Sequence, residues 1–168
     1  KEVLSEDGWL NTGDLMTLTV DGELCFVGRS KDTIVLFGGE NVEPTPIEEK
    51  LKESPYIDHC MVVGQDQKFL GALIVPNEEE LLNWAKANGV SGTTLSELIQ
   101  NPKVEALIKD ELKRLVNANP AFKSFEKVPH FRLIGKPFEK GEELNNTLKL
   151  RRHVVTEKYK DLINSMYA

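Results

Sequence analysis

Gly28-Arg29-Ser30-Lys31-Asp32-Thr33-Ile34-Val35-Leu36-Phe37-Gly38-Gly39-Glu40-Asn41-Val42 is the stretch from which the fold can be read. Thr33–Leu36 is a β-branched, apolar run that predicts a strand, and Gly38-Gly39 breaks it into a tight turn before Asn41 and Val42. A helix is expected next, with Thr45 as N-cap, Pro46 at the first helical position and Glu48 completing a capping box. Ile47 and Leu51 then share one face. Downstream, Ile57–Val63 and Leu70–Val75 read as two strands joined by the polar Gly64–Lys68 turn. The order strand, helix, strand, strand predicts an α+β unit with a small sheet of about three strands flanked by helices.

Upstream, two apolar-rich runs between Leu15 and Val27 flank Val20-Asp21-Gly22-Glu23, and an Asp-Gly turn between such runs predicts a β-ribbon. A two-stranded ribbon is marginal by itself, so this piece is expected to belong to a larger body. The opening Lys1–Leu10 begins without Met and reads as the edge of a piece from a longer chain, whereas Ala168 reads as a natural end. Towards the C-terminus, Asn77 with Glu80 predicts a second helix and Asn101-Pro102 a third. In the third, Val104, Leu107, Ile108, Leu112 and Leu115 recur at helical spacing as core positions. Phe131–Ile134 is a short strand candidate, Gly135–Glu143 a charged loop and Arg151–Met166 a helix.

The 168 residues allow one main domain, and 40% hydrophobic with 29% charged residues is the composition of a folding globular chain. A net charge of −6 removes long-range attraction to phosphate backbones, so no nucleic-acid partner is expected. Cys25 and Cys60 lie in apolar, strand-like surroundings and read as buried free thiols, with no metal-ligand spacing around them. No run approaches the ~20 apolar residues a membrane helix needs. The expected location is cytoplasmic, with room for peripheral membrane association.

Three segments combine glycine, polar and basic residues in ways packing does not require. In Gly8-Trp9-Leu10-Asn11-Thr12-Gly13-Asp14 a carboxylate follows a glycine turn, where it can accept two hydrogen bonds from a sugar diol; an Asx-type turn explains the segment equally well. Arg29 offers a rigid donor fork for ribose or phosphate oxygens, with Lys31 and Asp32 at the mouth of a strand where backbone torsions can swing. A surface ion pair beside a hairpin turn is the other reading. Leu144–Arg152 is a basic cluster at a loop-to-helix junction, and Lys149 there can serve as a mobile point charge. A solvated basic helix start would look the same.

Taken in order, these segments resemble the adenylate-forming superfamily of acyl-CoA synthetases, luciferases and peptide-synthetase adenylation domains. The resemblance covers nearly the whole chain and is strongest over Trp9–Glu49. Asn11-Thr12-Gly13-Asp14 is similar to the family's Thr-Gly-Asp motif, whose Asp holds the ribose hydroxyls of ATP. Gly28-Arg29 followed by Asp32, Gly39 and Glu48 is similar to the next motif, whose Arg also contacts the ribose, and the family's hinge residue falls on Lys31. Leu148-Lys149-Leu150-Arg151-Arg152 keeps the family's Lys and the Arg three residues after it but has Leu where Gly is usual. With Thr147 this matches the Thr-x-Lys of the long-chain subgroup, as does the extra helical stretch within Asn77–Ala121.

The resemblance implies that residues 1–28 end a large nucleotide-binding domain, 29–31 form a hinge, and 32–168 form a mobile C-terminal lid. It implies Lys149 as the catalytic cation, Thr147 and Arg152 as its supports, Asp14 and Arg29 on the ribose, and Gly38, Gly39 and Glu40 along the CoA channel. The implied enzyme is an ATP-dependent long-chain fatty acid–CoA ligase. In it a fatty-acid carboxylate attacks the α-phosphate of Mg-ATP, and after lid rotation the CoA thiol attacks the acyl-adenylate. Fatty acid, ATP and CoA would be its substrates, and the chain's own large domain its partner. That domain would supply most of the Mg2+ and pyrophosphate contacts, so the fragment by itself is expected to be inactive. Two other readings stay open: an adenylation domain loading a carrier protein, and a non-catalytic regulatory module of the same fold.

Overall fold

The computed structural model describes residues 4–168. Lys1, Glu2 and Val3, the start of the stretch read as the edge of a longer chain, lie outside the described residues. The ribbon is β1 (Asp14–Leu18) and β2 (Leu24–Arg29), followed by the short pair β3 (Ile34–Val35) and β4 (Asn41–Val42) and the helix α1 (Pro44–Leu51). Then come β5 (Ile57–Val63), β6 (Gly71–Pro76), α2 (Glu78–Ala87), α3 (Leu95–Leu98), α4 (Pro102–Leu112), β7 (His130–Leu133), α5 (Arg152–Lys158) and α6 (Lys160–Asn164).

The α+β expectation holds, and its centre is β6, which pairs antiparallel with β5 and parallel with β7. All six residues of β6 are buried, because helices cover both faces of the sheet. Ala72 and Ile74 pack with Ile47 and Leu51 of α1 and with Ile108 and Leu112 of α4. Leu73 and Val75 point the other way, into a second core with Leu144, Val155 and Met166. A strand covered on both sides reads as an unbroken apolar run, as Leu70–Val75 does. The parallel return to β7 needs a long connection. Residues 77–129 provide it, with their own cluster of Leu81, Ala85, Leu95, Leu98 and Val104.

Two of the expected caps form: Asn77 accepts from the Glu80 N–H at 3.2 Å, and Asn101 accepts from the Lys103 N–H at 2.9 Å. The first helix differs from expectation. It starts at Pro44 with Glu43 as N-cap, and no side chain caps it. Pro44 takes the first helical position because its missing N–H costs nothing there, and Glu48 is drawn inward to a distant arginine. β3 is confined to Ile34–Val35. The four-residue helix α3 was not expected, being too short to show a period. Helix α4 runs into a π-helical turn at Lys113–Asn117, with the Ala118 N–H reaching the Lys113 carbonyl at 2.8 Å. The helix expected over Arg151–Met166 is two helices parted at Tyr159, whose backbone (φ −111°, ψ 23°) leaves the helical region.

The ribbon contrasts with this packed body. Leu18 pairs with Leu24 across a five-residue loop, Thr19–Glu23, in which Gly22 has φ 82° and the Thr19 N–H donates to the Glu23 carbonyl at 2.8 Å. Met16, Leu18, Leu24 and Phe26 are all exposed. Cys25 is exposed too, contrary to the expectation of a buried thiol, because nothing described packs over that face; Cys60 is buried, and both are free.

Candidate functional site

Residues Asn11–Asp14 fold as an Asx-type turn, but Asn11 makes it: its Oδ1 accepts from the Gly13 N–H at 2.9 Å, while Gly13 adopts φ 70°. The Asp14 carboxylate is left free of local backbone bonds. Strand register sets Asp14 directly opposite Arg29, and Arg29 Nε lies 3.3 Å from Asp14 Oδ1. The pair is charge-matched but not aligned as a hydrogen bond, and Asp14 Oδ1 is buried with no hydrogen-bond partner. An orphaned buried acceptor is uncommon and calls for a donor.

Lys31 is exposed on the single 3-10 turn Ser30–Asp32 between the ribbon and β3. Contacts bracket this turn on both sides. The Ser30 N–H donates to the Gly13 carbonyl at 3.0 Å, and Thr33 Oγ1 donates to Glu43 Oε1 at 2.6 Å. Glu43 also lies against Gly28, where an added Cβ would stand 2.7 Å from Oε2. Beyond β3, Gly39 takes φ 90° so that the Leu36 N–H can reach the Glu40 carbonyl at 2.9 Å, and the Glu40 carboxylate folds back onto the space a Gly38 side chain would fill. This turn is exposed and stands on the β5–β6 turn, where the Phe37 N–H donates to the Gln67 carbonyl at 2.8 Å. Beside it is an open groove of about 410 Å³ whose lining includes Phe37, Lys68, Phe69, His130 and Tyr167.

The Leu144–Arg152 cluster does run from a loop into a helix, α5 starting at Arg152, and Lys149 stands three residues ahead of that start. It belongs to a short hairpin in which the Arg151 N–H donates to the Glu143 carbonyl at 2.8 Å, Leu144 bridges Leu150, and the Asn145 N–H donates to the Lys149 carbonyl at 2.9 Å. At its tip Leu148 is left-handed at φ 59°, a conformation that costs a branched L-residue on the order of 1 kcal/mol and glycine nothing. Lys149 is exposed, and Thr147 shares the tip. Arg152 points the other way. Its Nη1 is 2.6 Å from Glu48 Oε1 and its Nη2 donates to the Val62 carbonyl at 2.6 Å, while the same Glu48 oxygen accepts from the Val62 N–H at 2.7 Å. With side chains only 21% and 11% exposed, Arg152 and Glu48 lock α5 onto α1 and β5. The positive charge that would oppose the α5 macrodipole is thus neutralised.

A second brace lies at the hairpin base. Glu143 accepts from the Glu139 N–H at 3.0 Å and from Lys158 Nζ at 2.5 Å. Burial opposes ionisation of Glu143, but the Lys158 ammonium and the Glu139 N–H outweigh it and hold the carboxyl below its usual range. Burial pushes the Cys60 thiol up, so it stays neutral and unreactive.

The structure therefore brings Asp14 to Arg29, Thr147 and Lys149 to the shared Asn145 Oδ1, and Arg152 to Glu48. Among the described residues no hydrogen bond or ion pair joins Lys149 to the Asp14–Arg29 pair. Nor do three His, Cys, Asp or Glu side chains there come together to hold a metal ion, and no helix is long and apolar enough to cross a membrane. Local reading missed Asn145, whose Asx-turn chemistry was a usable signal, and the partner of Arg152, which lies 104 positions away.

A sheet wrapped by helices on both faces, with a ribbon ahead of it and a lysine-bearing hairpin behind, is the organisation expected for the C-terminal region of an adenylate-forming enzyme. The chain belongs to the AMP-binding enzyme C-terminal domain family, whose model matches residues 31–168. It is 38% identical over 99% of its length to the long-chain-fatty-acid–CoA ligase ACSBG1 of Homo sapiens, covering 25% of that protein. It is 37% identical over 96% of its length to the long-chain-fatty-acid–CoA ligase FadD15 of Mycobacterium tuberculosis, covering 27% of that protein. The chain thus spans about a quarter of the curated relatives it matches. Among solved structures, the adenylation domain of a carboxylate reductase from Mycobacterium chelonae superposes with a TM-score of 0.79 at 25% identity, over 99% of this chain and 24% of that one.

Proposed function

We propose that this chain is the C-terminal part of an ATP-dependent long-chain fatty acid–CoA ligase: residues 1–28 end the large domain, 29–31 are the hinge and 32–168 are the mobile lid. The observation that carries this reading is the Asp14–Arg29 pair, a carboxylate and a guanidinium that strand register places side by side with both side chains partly open to solvent. The names of the relatives supply the substrate class. In the first half-reaction a fatty-acid carboxylate oxygen bonds to the α-phosphorus of ATP as the bond to pyrophosphate breaks. Lys149 stabilises the negative charge on the carboxylate and α-phosphate oxygens, while Asp14 and Arg29 hold the ribose. In the second, the lid turns about Lys31, the CoA thiol loses its proton to solvent and its sulfur attacks the acyl carbonyl, and the bond from that carbon to the phosphate oxygen breaks as AMP leaves with the electron pair. Gly38, Gly39 and Glu40, on an exposed turn whose two glycines carry no side chain, then line the path of the pantetheine arm. The Mg2+ that accompanies ATP is assigned mainly to the large domain. The protein is placed in the cytoplasm, where long-chain substrates favour peripheral contact with membranes.

The resemblance to a carboxylate-reductase adenylation domain supports a second reading, in which the acyl group passes to a carrier-bound thiol. ATP–pyrophosphate exchange by the whole protein with acids of graded length, followed by CoA or a loaded carrier protein as acceptor, separates the two. Exchange with long-chain acids and transfer to CoA is the expected result. Exchange that survives Asp14→Ala undiminished would remove the ribose assignment.

A further inference from the structure

The hairpin that carries Lys149 is held by one side chain that neither the fold nor the proposed chemistry otherwise uses. Asn145 Oδ1 accepts from the Thr147 N–H at 2.9 Å, the Thr147 hydroxyl at 2.8 Å and the Lys149 N–H at 2.9 Å. Its own backbone adds two bonds across the tip, to the Lys149 carbonyl at 2.9 Å and from the Leu148 N–H at 3.0 Å. The tip is otherwise exposed, so no packing fixes residues 146–149. Leu148 is held in a left-handed conformation that a leucine leaves unless its neighbours impose it. Just below the tip the chain is firm, with Leu144 buried in the second core and Arg152 clamped to Glu48. A flexible cation on an exposed turn would otherwise lose much of its effect, since a group that must be ordered at each turnover brings its entropy cost to the barrier.

We infer that Asn145 is a positioning residue that converts the Lys149 turn from a mobile loop into a preformed support, fixing the backbone from which the ammonium reaches the reacting oxygens. This deepens the ligase reading and rests on it for the role of Lys149. Asn145→Ala removes the shared acceptor, whereas Asn145→Asp keeps an oxygen of the same reach. In the whole protein, Asn145→Ala is expected to lower kcat for ATP–pyrophosphate exchange by about 10- to 100-fold. The KM for ATP and thioester formation from supplied acyl-adenylate should stay near wild type, and Asn145→Asp should restore exchange to within about threefold. Hydrogen exchange on the same proteins should show the Lys149 amide protected in the wild type and in Asn145→Asp and unprotected in Asn145→Ala.

Equal loss of both half-reactions in Asn145→Ala would reduce the residue to a fold-stabilising role, and failure of Asn145→Asp to restore exchange would contradict the acceptor mechanism. A Lys149 amide still protected in Asn145→Ala would also overturn the proposal. If exchange is present and Lys149→Ala abolishes it while Asn145→Ala does not, the positioning role alone fails. If the wild type shows no exchange, the ligase reading fails, and if Lys149→Ala leaves exchange intact, the role of Lys149 fails; in either case the positioning role goes with it.

Discussion

β2 and β6 are both six-residue strands rich in apolar side chains, yet one is open and the other sealed. Every residue of β6 is buried between two helical layers. β2 leaves Leu24, Cys25 and Phe26 exposed and holds only Gly28 inside. Apolar content makes a strand, but what covers it is decided by the elements that return to it. The body, residues 34–168, contains its own cover; the ribbon does not. The same division runs through the proposed chemistry, with the ribbon bearing the ribose contacts and the body bearing the lysine hairpin.

The largest expected effect that sharpens this comparison is Leu73→Ala. Leu73 is almost fully buried, and loss of its methyl groups should lower unfolding free energy by about 3–4 kcal/mol in denaturant titration. A loss under about 1 kcal/mol would mean that β6 is not sealed. Glu48→Ala should cost about 3 kcal/mol, at the lower end for a buried pair because Arg152 keeps some access to water. It also leaves the Val62 N–H without its acceptor. Glu48→Gln, which keeps an acceptor for that N–H, should cost less; equal losses would show that the charge dominates.

A smaller effect is tied to pH. The Glu143 carboxyl sits below its usual range, so its contribution is complete above the ordinary carboxylate value and is lost as pH falls through the lower folded value. Glu143→Gln should therefore flatten the acid limb of the stability profile and change little at the alkaline end. An unchanged acid limb would remove the brace. The smallest effect is expected in the ribbon: Phe26→Ser, at a position 53% exposed, should move the stability of this chain by no more than about 0.5 kcal/mol. The same change in the whole protein should cost more if a large domain covers that face.

Much of the fold was legible because the signals were local and repeated. Asn77 and Asn101 announced their helices, and the apolar runs at Ile57 and Leu70 gave the two main strands. The start of α1 was misread because Pro44 and Pro46 both suit a first turn, and only the tertiary demand for Glu48 at Arg152 separates them. Cys25 was misplaced because a strand pattern does not say whether its partner layer is present. Of the candidate site, the Asp14–Arg29 pairing was implicit in the ribbon once its register was set. The Lys149 hairpin was hidden because its strands are single bridges and its tip is shaped by one asparagine oxygen and a left-handed leucine, none of which leaves a periodic trace.

The central claim is that Lys149 acts in one half-reaction and not in the other, and it is tested most directly by measuring the two halves separately in the whole protein. Lys149→Ala should slow acyl-adenylate formation by about 10²–10³-fold, the size of effect seen when one preorganised donor is removed from a closed site, while thioester formation from supplied acyl-adenylate keeps its wild-type rate. An equal fall in both rates, or no fall in the first, would contradict the account.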